Sequence, residues 1–567
     1  MHHCSSQHTF KLSLLFLSLF SFDSYAEIAT PPIGVIIQPP QSQNPTPNIE
    51  RAEIKSDASV SNIQPVSEQR GIIFVKQIEF KHDLQTVSDT ELQDFIAPYL
   101  GKNYRLSEFK KITEQLEQWL ANKHGLIKAR VWIPLQEIQN QTVRLDITQG
   151  TVGKYQVSEK LNGTKSEQKL IELAQQYLAS GAAITQTQLE QTAYRVIDYL
   201  RQPIQVVLLP TSQLGVYNVL LDVAQPLDAT ASITFDNTGS RYTSVFRDNT
   251  ALTIYHPFSD ADQLQLAGQW MNNYQRSWLL RYERPFLSGW RVGVEGQYSD
   301  YQLCCEFKPL DAEGQSIQAS INAFYTIQRQ REQSIWLGGR AKYWNGRNQQ
   351  LNQKTTDRRL SSISLIGQGT WSGNTDQFLQ LELTAGNADL SHQTADEALD
   401  QISADIADDY YKATLDYQVN YPFTPQQNLY LYAKGQWANK NLDSSEKISM
   451  GGLSAIRAYP YGEAMGDLGT VLQAEYRYQI LPTLQTKAFY DVGYVRRNAQ
   501  PWQIGLDNQY TLQGAGLGLT WQPVPQAQLQ LIGAAKLGSN AGRDSNGNDS
   551  DGRDSRVRGW IVGSWSF

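Results

Sequence analysis

From Asp228 to Phe567 the chain repeats one cadence sixteen times: segments about ten residues long, alternating apolar and polar side chains, broken by turn residues. Gln263-Leu264-Gln265-Leu266, Leu379-Gln380-Leu381-Glu382-Leu383 and Gln528-Leu529-Gln530-Leu531 show it most plainly. Successive side chains of a strand point to opposite faces, so the leucines share one face and their Gln and Glu neighbours the other. A soluble barrel would turn its apolar face inward. Sixteen strands, however, enclose a lumen too wide for side chains to fill, so the polar face must line it and the apolar face must meet lipid. The expected barrel is 16-stranded, antiparallel and transmembrane.

Composition is compatible with this. A chain of 567 residues is too long for one ordinary domain. Its mean hydropathy is −0.45, and it has no apolar run of the roughly 18 residues that a spanning helix requires. A barrel escapes that requirement, because only alternate residues touch lipid. The 29 Tyr and 13 Trp suit aromatic girdles at the two membrane surfaces, with an aromatic-rich soluble β-protein as the competing reading. A net charge of −7 leaves no basic footprint for nucleic acid. No cofactor or metal is expected: Cys304 and Cys305 lack the further ligands that zinc needs. Adjacent cysteines close only a strained ring, so the pair reads as incidental or as a vicinal disulfide stiffening a surface loop.

The N-terminal part divides by composition. Residues 1–26 read as a cleaved secretory signal, with Lys11 before the apolar run Leu12 to Phe22 and small residues Ser24 and Ala26 flanking the cleavage position. Cys4 leaves with it. Residues 27–70 carry seven prolines among Ser, Gln and Asn, cannot build a core and read as extended or linker-like. The island Ile33 to Ile37, between paired prolines, has room only for a short helix. Residues 71–150 and 151–225 then repeat the order β-α-α-β-β. In the first unit the expected elements are strand Phe74 to Phe80, helix Ser88 to Leu100, and a second helix through Phe109, Ile112, Leu116, Trp119 and Leu120. Strands Ala129 to Ile138 and Thr142 to Thr148 follow. The second unit has strand Lys154 to Val157, helix Lys165 to Ala179, and a helix opened by a capping box over Thr185 and Gln188. Strands Ile204 to Leu209 and Val216 to Val223 close it.

Residues 226–567 form the barrel. Its strands are expected near 228–238, 248–258, 262–272, 276–286, 290–303, 314–331, 333–349 and 361–371. Eight more lie near 377–390, 407–423, 427–440, 469–480, 484–498, 510–523, 527–539 and 556–567. Connections after even-numbered strands are very short, as at Ser259 to Ala261, Leu287 to Gly289, Leu481 to Thr483 and Val524 to Gln526. Those after odd strands are longer, with one exception near Tyr274. Short periplasmic turns and long surface loops are the usual asymmetry, which puts both barrel ends and the two repeated units on the periplasmic side. Ile561, Trp565 and Phe567 share one face of the last strand, an aromatic ending of the sort that barrel-assembly machinery recognises.

One connection stands apart. Residues 441–468, between strands eleven and twelve, form the longest loop and hold the Gly-rich run Met450 to Tyr459. Two strands on, alternation sends Tyr490, Val492 and Tyr494 toward lipid and Phe489, Asp491 and Gly493 toward the lumen. A wide lumen leaks unless something fills it, and a long Gly-rich loop is a natural plug. Arg457 in that loop can grip inward Asp491, because a planar guanidinium binds a carboxylate through two parallel bonds. The same residues also allow a solvated loop arginine and an ordinary lumen aspartate.

Two β-α-α-β-β units, sixteen strands and this loop resemble the two-partner secretion transporters of the Omp85 superfamily, over essentially the whole mature chain. That family carries a Val-Arg-Gly-Tyr type motif in the sixth surface loop and a Phe-x-Asp-x-Gly motif on strand thirteen. Here they fall on Ile456-Arg457-Ala458-Tyr459 and on Phe489, Asp491 and Gly493. Lesser matches are Asp236-Asn237-Thr238-Gly239 after strand one and Tyr282, Pro285 and Gly289 around strand four. Ala458 stands where glycine is usual, and alanine tolerates positive φ poorly, so the loop tip is expected to differ locally.

The resemblance implies that the two units are POTRA domains binding one large exoprotein, a toxin or adhesin, as an extended polypeptide. It implies export through the outer membrane without ATP, gated by the N-terminal segment and loop 441–468, with Arg457, Tyr459, Phe489, Asp491 and Gly493 as the gating motif. Relatives export haemolysins, adhesins and contact-dependent growth inhibition toxins. The other expected partners are outer-membrane lipid and, through Trp565 and Phe567, the barrel-assembly machinery; nucleic acid is not among them. The sequence offers no Gly-x-x-x-x-Gly-Lys phosphate loop. An assembly insertase of the same superfamily usually has more POTRA units, and a porin has no use for two periplasmic domains. An enzyme is not expected, since there is no Gly-x-Ser-x-Gly elbow and the barrel holds only His256 and His392.

Overall fold

A computed structural model describes residues 53–56, 72–158, 165–201, 203–222, 228–271 and 274–567. The expected signal and nearly all of the expected plug and linker, residues 27–70, lie outside the described residues. The exception is strand β1 (Glu53–Ser56), which is not a free linker but pairs with a later sheet.

The first unit holds two strands more than expected. The run read as a single strand divides at Lys76 into β2 (Ile72–Val75) and β3 (Gln77–His82). β2 pairs antiparallel with β4 (Lys102–Arg105), a short strand inside what the sequence presented as a connection between helices. Those helices are α1 (Asp89–Ile96), capped by a reciprocal Ser88–Glu91 box, and α2 (Leu106–His124), ended by Gly125 at φ 69°. β3 runs parallel to β6 (Thr142–Thr148), whose other neighbour is β5 (Arg130–Trp132). β5 is much shorter than the expected Ala129 to Ile138. Pro134 accounts for this, having no N–H to donate to a ladder. Phe109, Ile112, Leu116 and Leu120 on α2 face the core as their spacing predicts, while Trp119 is half-buried and packs on Phe95.

The second unit has the expected order: β7 (Thr151–Val157), α3 (Lys165–Tyr177), α4 (Gln186–Leu200), β8 (Gln205–Pro210) and β9 (Val216–Asp222). The Thr185 hydroxyl accepts from the Gln188 N–H and caps α4. β1 joins as a fourth strand, giving the sheet order β1-β8-β9-β7.

Sixteen antiparallel strands close the barrel. They are β10 (Ala229–Asp236), β11 (Arg247–Tyr255), β12 (Gln263–Met271), β13 (Gln275–Pro285), β14 (Trp290–Gln302), β15 (Glu313–Arg329), β16 (Gln333–Gln350) and β17 (Gln353–Trp371). The second half holds β18 (Asp376–Asp389), β19 (Asp408–Thr424), β20 (Gln427–Ala438), β21 (Leu468–Leu481), β22 (Leu484–Arg496), β23 (Gln509–Val524), β24 (Ala527–Leu537) and β25 (Val557–Ser566). β10 meets β25 from Ser232↔Ser566 to Asp236↔Val562. Faces follow the alternation: Leu266, Leu381, Leu531, Tyr490 and Tyr494 are exposed outside, whereas Gln269, Ser277, Ser299 and Asp491 are buried within. Trp565 and Phe567 lie on the outer face, their ring centroids 6.3 Å apart.

One strand is longer than expected. β17 begins at Gln353, not near 361, so the connection from β16 is only Leu351-Asn352. Both residues have positive φ (49° and 61°), the backbone of a tight type I′ hairpin, here without the usual glycine to announce it. The polar hairpin continues past the apolar band, where alternation no longer carries an apolar signal. Cys304 and Cys305 are unbridged; both thiols face the Arg241 carbonyl, at 3.5 and 3.8 Å.

The second unit is bolted to the short-turn end of the barrel. Asp198 of α4 pairs with Arg329 at 3.0 Å, and Arg201, just after α4, pairs with Glu283 at 2.5 Å. Arg195 donates to the Thr326 carbonyl at 3.1 Å. It also approaches Gly289 so closely that a Cβ there would lie 2.8 Å from its guanidinium; with φ at 86°, only glycine suits this turn. Lys169 of α3 donates to the Asp260 carboxylate, in the connection between β11 and β12, at 2.6 Å, and this bond holds the ammonium above its usual range.

Candidate functional site: a loop sealed inside the barrel

The connection between β20 and β21 folds inward and packs on the inner wall of the last strands. Ile448, Met450, Ile456, Ala458 and Tyr459 of the loop join Phe489, Leu512, Ile532 and Trp560 in one buried cluster. The loop is pinned at its tip, its root and its far side.

At the tip, Arg457 is 2% exposed and its guanidinium is gripped as expected. Nε donates to Asp491 Oδ2 at 2.9 Å and Nη2 to Oδ1 at 2.5 Å; the Arg457 backbone N–H adds a bond to Oδ2 at 3.0 Å. Phe489, two residues before Asp491 and therefore on the same face, lies under the guanidinium at 3.6 Å from ring centroid to Cζ. Gly493 completes the seat by having no side chain. A Cβ there would be 2.6 Å from Ile456 Cδ1 and 3.2 Å from Met450 Sδ. Tyr459 is fully buried, with Lys536 Nζ 5.0 Å from its ring centroid. Thus Arg457, Phe489, Asp491 and Gly493 meet at the loop tip, while Tyr459 is buried in the same apolar cluster but turns its ring toward Lys536.

Other members of this constellation escape sequence reading. Glu475 on β21 accepts from Arg457 Nη1 and is itself flanked by Arg477 at 2.6 Å and Lys487 at 3.2 Å. Trp560 on β25 donates its indole N–H to the Arg457 carbonyl at 2.8 Å. Alternation would have marked both as inward-facing, but nothing local links them to residue 457.

Ala458, standing where a glycine was usual, does not take a positive φ. In this loop positive φ falls on Gly452, Gly462 and Ala464. The Ala458 methyl instead faces Gly514 on β23, whose own Cβ would sit 2.6 Å from it. Ala458 thus keeps a backbone that alanine accepts, and a glycine on the wall makes room for its methyl. Gly514→Val should displace the tip, because overpacking a filled interior costs about 1–3 kcal/mol. Ala458→Gly should be tolerated. The check is the unfolding temperature of the gel-resolved barrel, expected to fall for the first variant and to stay unchanged for the second.

The root is an ion network. Arg358 on β17 forks onto Asp396 of α5 (Thr394–Gln401) at 2.7 Å and reaches Asp443 of the loop at 2.8 Å. Glu446 is buried between Lys342 on β16 and Lys412 on β19. Where the loop returns, Asp467 accepts from Lys447 at 3.0 Å and from the backbone N–H groups of Leu442 and Ala499. On the far side, Glu463 accepts from Asn540 and from the Ser550 N–H in the connection before β25. No group of three or more His, Cys, Asp or Glu among the described residues is placed to hold a metal. The site can bind and hold a loop.

Comparison with known proteins follows the same lines. The family described as "Haemolysin secretion/activation protein ShlB/FhaC/HecB" matches residues 217–521, and "POTRA domain, ShlB-type" matches residues 73–150. The heme/hemopexin transporter protein HuxB of Haemophilus influenzae is 24% identical over 520 residues, which is 87% of this chain and 90% of that protein. Among solved structures, CdiB from Escherichia coli superposes with a TM-score of 0.66 at 16% identity, covering 92% of this chain and 94% of its own. BamA from Haemophilus ducreyi, lacking its POTRA domains 1–3, gives 0.53 at 14% identity over 87% of this chain and all of that one. Likeness at such identities speaks for the fold alone, and it extends to both CdiB and BamA.

Proposed function

The chain belongs to the haemolysin secretion/activation family ShlB/FhaC/HecB, outer-membrane transporters that secrete exoproteins, and from that membership we propose how this barrel works. Its POTRA units lie in the periplasm and take one large exoprotein, a toxin or adhesin, as an extended polypeptide. The exoprotein passes through the lumen without ATP, drawn outward by folding at the cell surface. At rest the pore is shut by loop 441–468, held by Arg457 on Asp491, and by the N-terminal segment 27–70. Arrival of the exoprotein releases both. Trp565 and Phe567 serve the barrel's own insertion by the assembly machinery.

The observation that carries the gating reading is the burial of a charged loop tip. Arg457 and Asp491 are withdrawn from water inside a lumen that is otherwise polar, at a cost that only a good mutual fit offsets. A surface loop with no sealing task has no reason to meet that cost. An assembly insertase shares the fold, but the family match across residues 217–521 favours export. A porin has no use for α4 bolted to the turns of its barrel.

Single-channel recording in a planar bilayer tests this reading, with the full chain against a variant lacking residues 27–70. The expected result is small, flickering current from the full chain and larger, steadier current from the deletion. Two closed channels would leave the loop as the whole seal. A wide-open full chain would overturn the gating reading.

A further inference from the structure

Three surface connections meet above the point where the barrel closes on itself. β10 and β25 share five paired positions, against eight between β10 and β11. At the end of the barrel away from the second unit, the connection after β10 (237–246) meets those before β15 (303–312) and before β25 (538–556). Arg241 joins all three. Its guanidinium forks onto Glu306 at 2.7 and 2.9 Å and donates to the Asp551 carbonyl at 3.1 Å. Beside it, Tyr242 packs edge-on against Phe307, ring centroids 4.9 Å apart, and its carbonyl accepts from the Cys304 N–H at 2.8 Å. Tyr242, Leu303 and Ala312 are buried together with Tyr301 and Trp344 of the wall.

The two cysteines sit at this corner, and the backbone brings their thiols together. In an extended chain, neighbouring side chains point to opposite faces. Here Cys305 has φ 62°, the left-handed region that a residue with a Cβ adopts at a cost. The chain turns there, and both thiols reach one acceptor, the Arg241 carbonyl, at 3.5 and 3.8 Å. Their settings differ. Cys305 is exposed, whereas Cys304 is half-buried, and burial together with the neighbouring Cys305 thiol pushes it up to about 11. The exposed thiol is therefore the one that a reagent from outside meets first. Glu306, the next residue, is the one Arg241 grips, so the turn holding the thiols is anchored at both ends.

The geometry points to Cys304 and Cys305 as a reversible modification site at the cell surface, which closes to a vicinal disulfide and so clasps the three connections over the β10–β25 seam. The chemistry is thiol–disulfide exchange with a soluble disulfide as oxidant. The Cys305 thiolate attacks one donor sulfur, which forms a mixed disulfide and expels the first donor thiolate. The Cys304 thiolate then attacks the Cys305 sulfur, closes the ring and expels the second. The pair gives up two electrons to the donor disulfide, and its two protons end on the two released thiols. A ring between adjacent residues is strained, and strained, exposed disulfides are the ones that reductants reopen. Closure turns the left-handed backbone at Cys305 from a cost borne by an open chain into a covalent constraint. It keeps Glu306 at Arg241, and with it the bridge to Asp551 in the connection before β25.

Two measurements on the full-length protein in detergent decide the matter, and neither depends on export. In the first, the protein is reduced, freed of reductant, treated with oxidised glutathione and digested for peptide masses. The peptide holding both cysteines should lose two hydrogens and all maleimide uptake, and dithiothreitol should restore both. A lasting glutathione adduct, a disulfide-linked dimer or two unreacted thiols overturns the proposal. Ring closure should slow at least about tenfold in Glu306→Ala and in Arg241→Ala, each compared as a heat-modifiable, folded band, because the thiols are no longer held together. Closure at the unmodified rate in both variants overturns the part given to the corner. In the second measurement, the gel-resolved barrel should unfold at least about 2 °C higher with the ring closed than with it reduced. The Cys304→Ser, Cys305→Ser chain should not respond to the oxidant. No shift in the unmodified chain, or an equal shift in the serine variant, overturns the clasp.

Discussion

Arg457→Ala should turn a closed pore into an open one and, at the same time, cut secretion to a small fraction. Asp491 is 0% exposed, so removing the guanidinium strands its buried carboxylate, while Glu475 keeps Arg477 and Lys487. Breaking one side of such a pair typically costs about 3–5 kcal/mol. The tip also loses its stacking on Phe489. The loop then has less to gain by remaining against the wall, and conductance should become large and steady. Secretion should fall because the exoprotein meets a gate that no longer resets. Arg457→Lys should be intermediate: a single ammonium cannot form the two-pronged bond to Asp491 and also reach Glu475. Asp491→Asn should move in the direction of the alanine variant. Conductance traces and exoprotein in the culture supernatant are the readouts, and wild-type values for both Arg457→Ala and Asp491→Ala would remove the pair from the mechanism.

Glu446→Ala is expected to have the next largest effect, with a different signature. Its carboxylate separates Lys342 from Lys412, and without it two ammonium groups face each other in a confined space. Two unit charges about 5 Å apart at an effective dielectric of about 20 repel by about 3 kcal/mol. The root of the loop should loosen while the tip remains on Asp491. Recordings should therefore show brief, frequent openings in place of one steady open level, with secretion only partly reduced. Glu446→Gln keeps the hydrogen-bonding atoms but not the charge and should behave like alanine; Glu446→Asp should recover part of the seal. A steady open level in Glu446→Ala would mean that the root, not the tip, holds the loop.

Much of this architecture was legible in the residues. Strand direction relative to lipid follows from period two alone, and it put Phe489, Asp491 and Gly493 on the inner wall before any fold was known. Beyond the apolar band that signal ends. The β16–β17 hairpin rises beyond the apolar band, and its turn residues Leu351 and Asn352 carry no glycine. β4 is too short to show a period, and β5 stops early because of Pro134.

The chain's own alternation therefore determined a sixteen-stranded transmembrane barrel, its sidedness and the inward position of the Asp491 motif. These are local properties, fixed by which face each residue takes. Which distant residues meet was decided only by barrel closure and by the loop's path. Closure brings Trp560 of the last strand to the Arg457 carbonyl, and it sets Lys342 and Lys412 from two strands around Glu446. The attachment of β1 to β8 is of the same kind. A four-residue segment matches many partners in sequence, and only the folded edge beside it selects one.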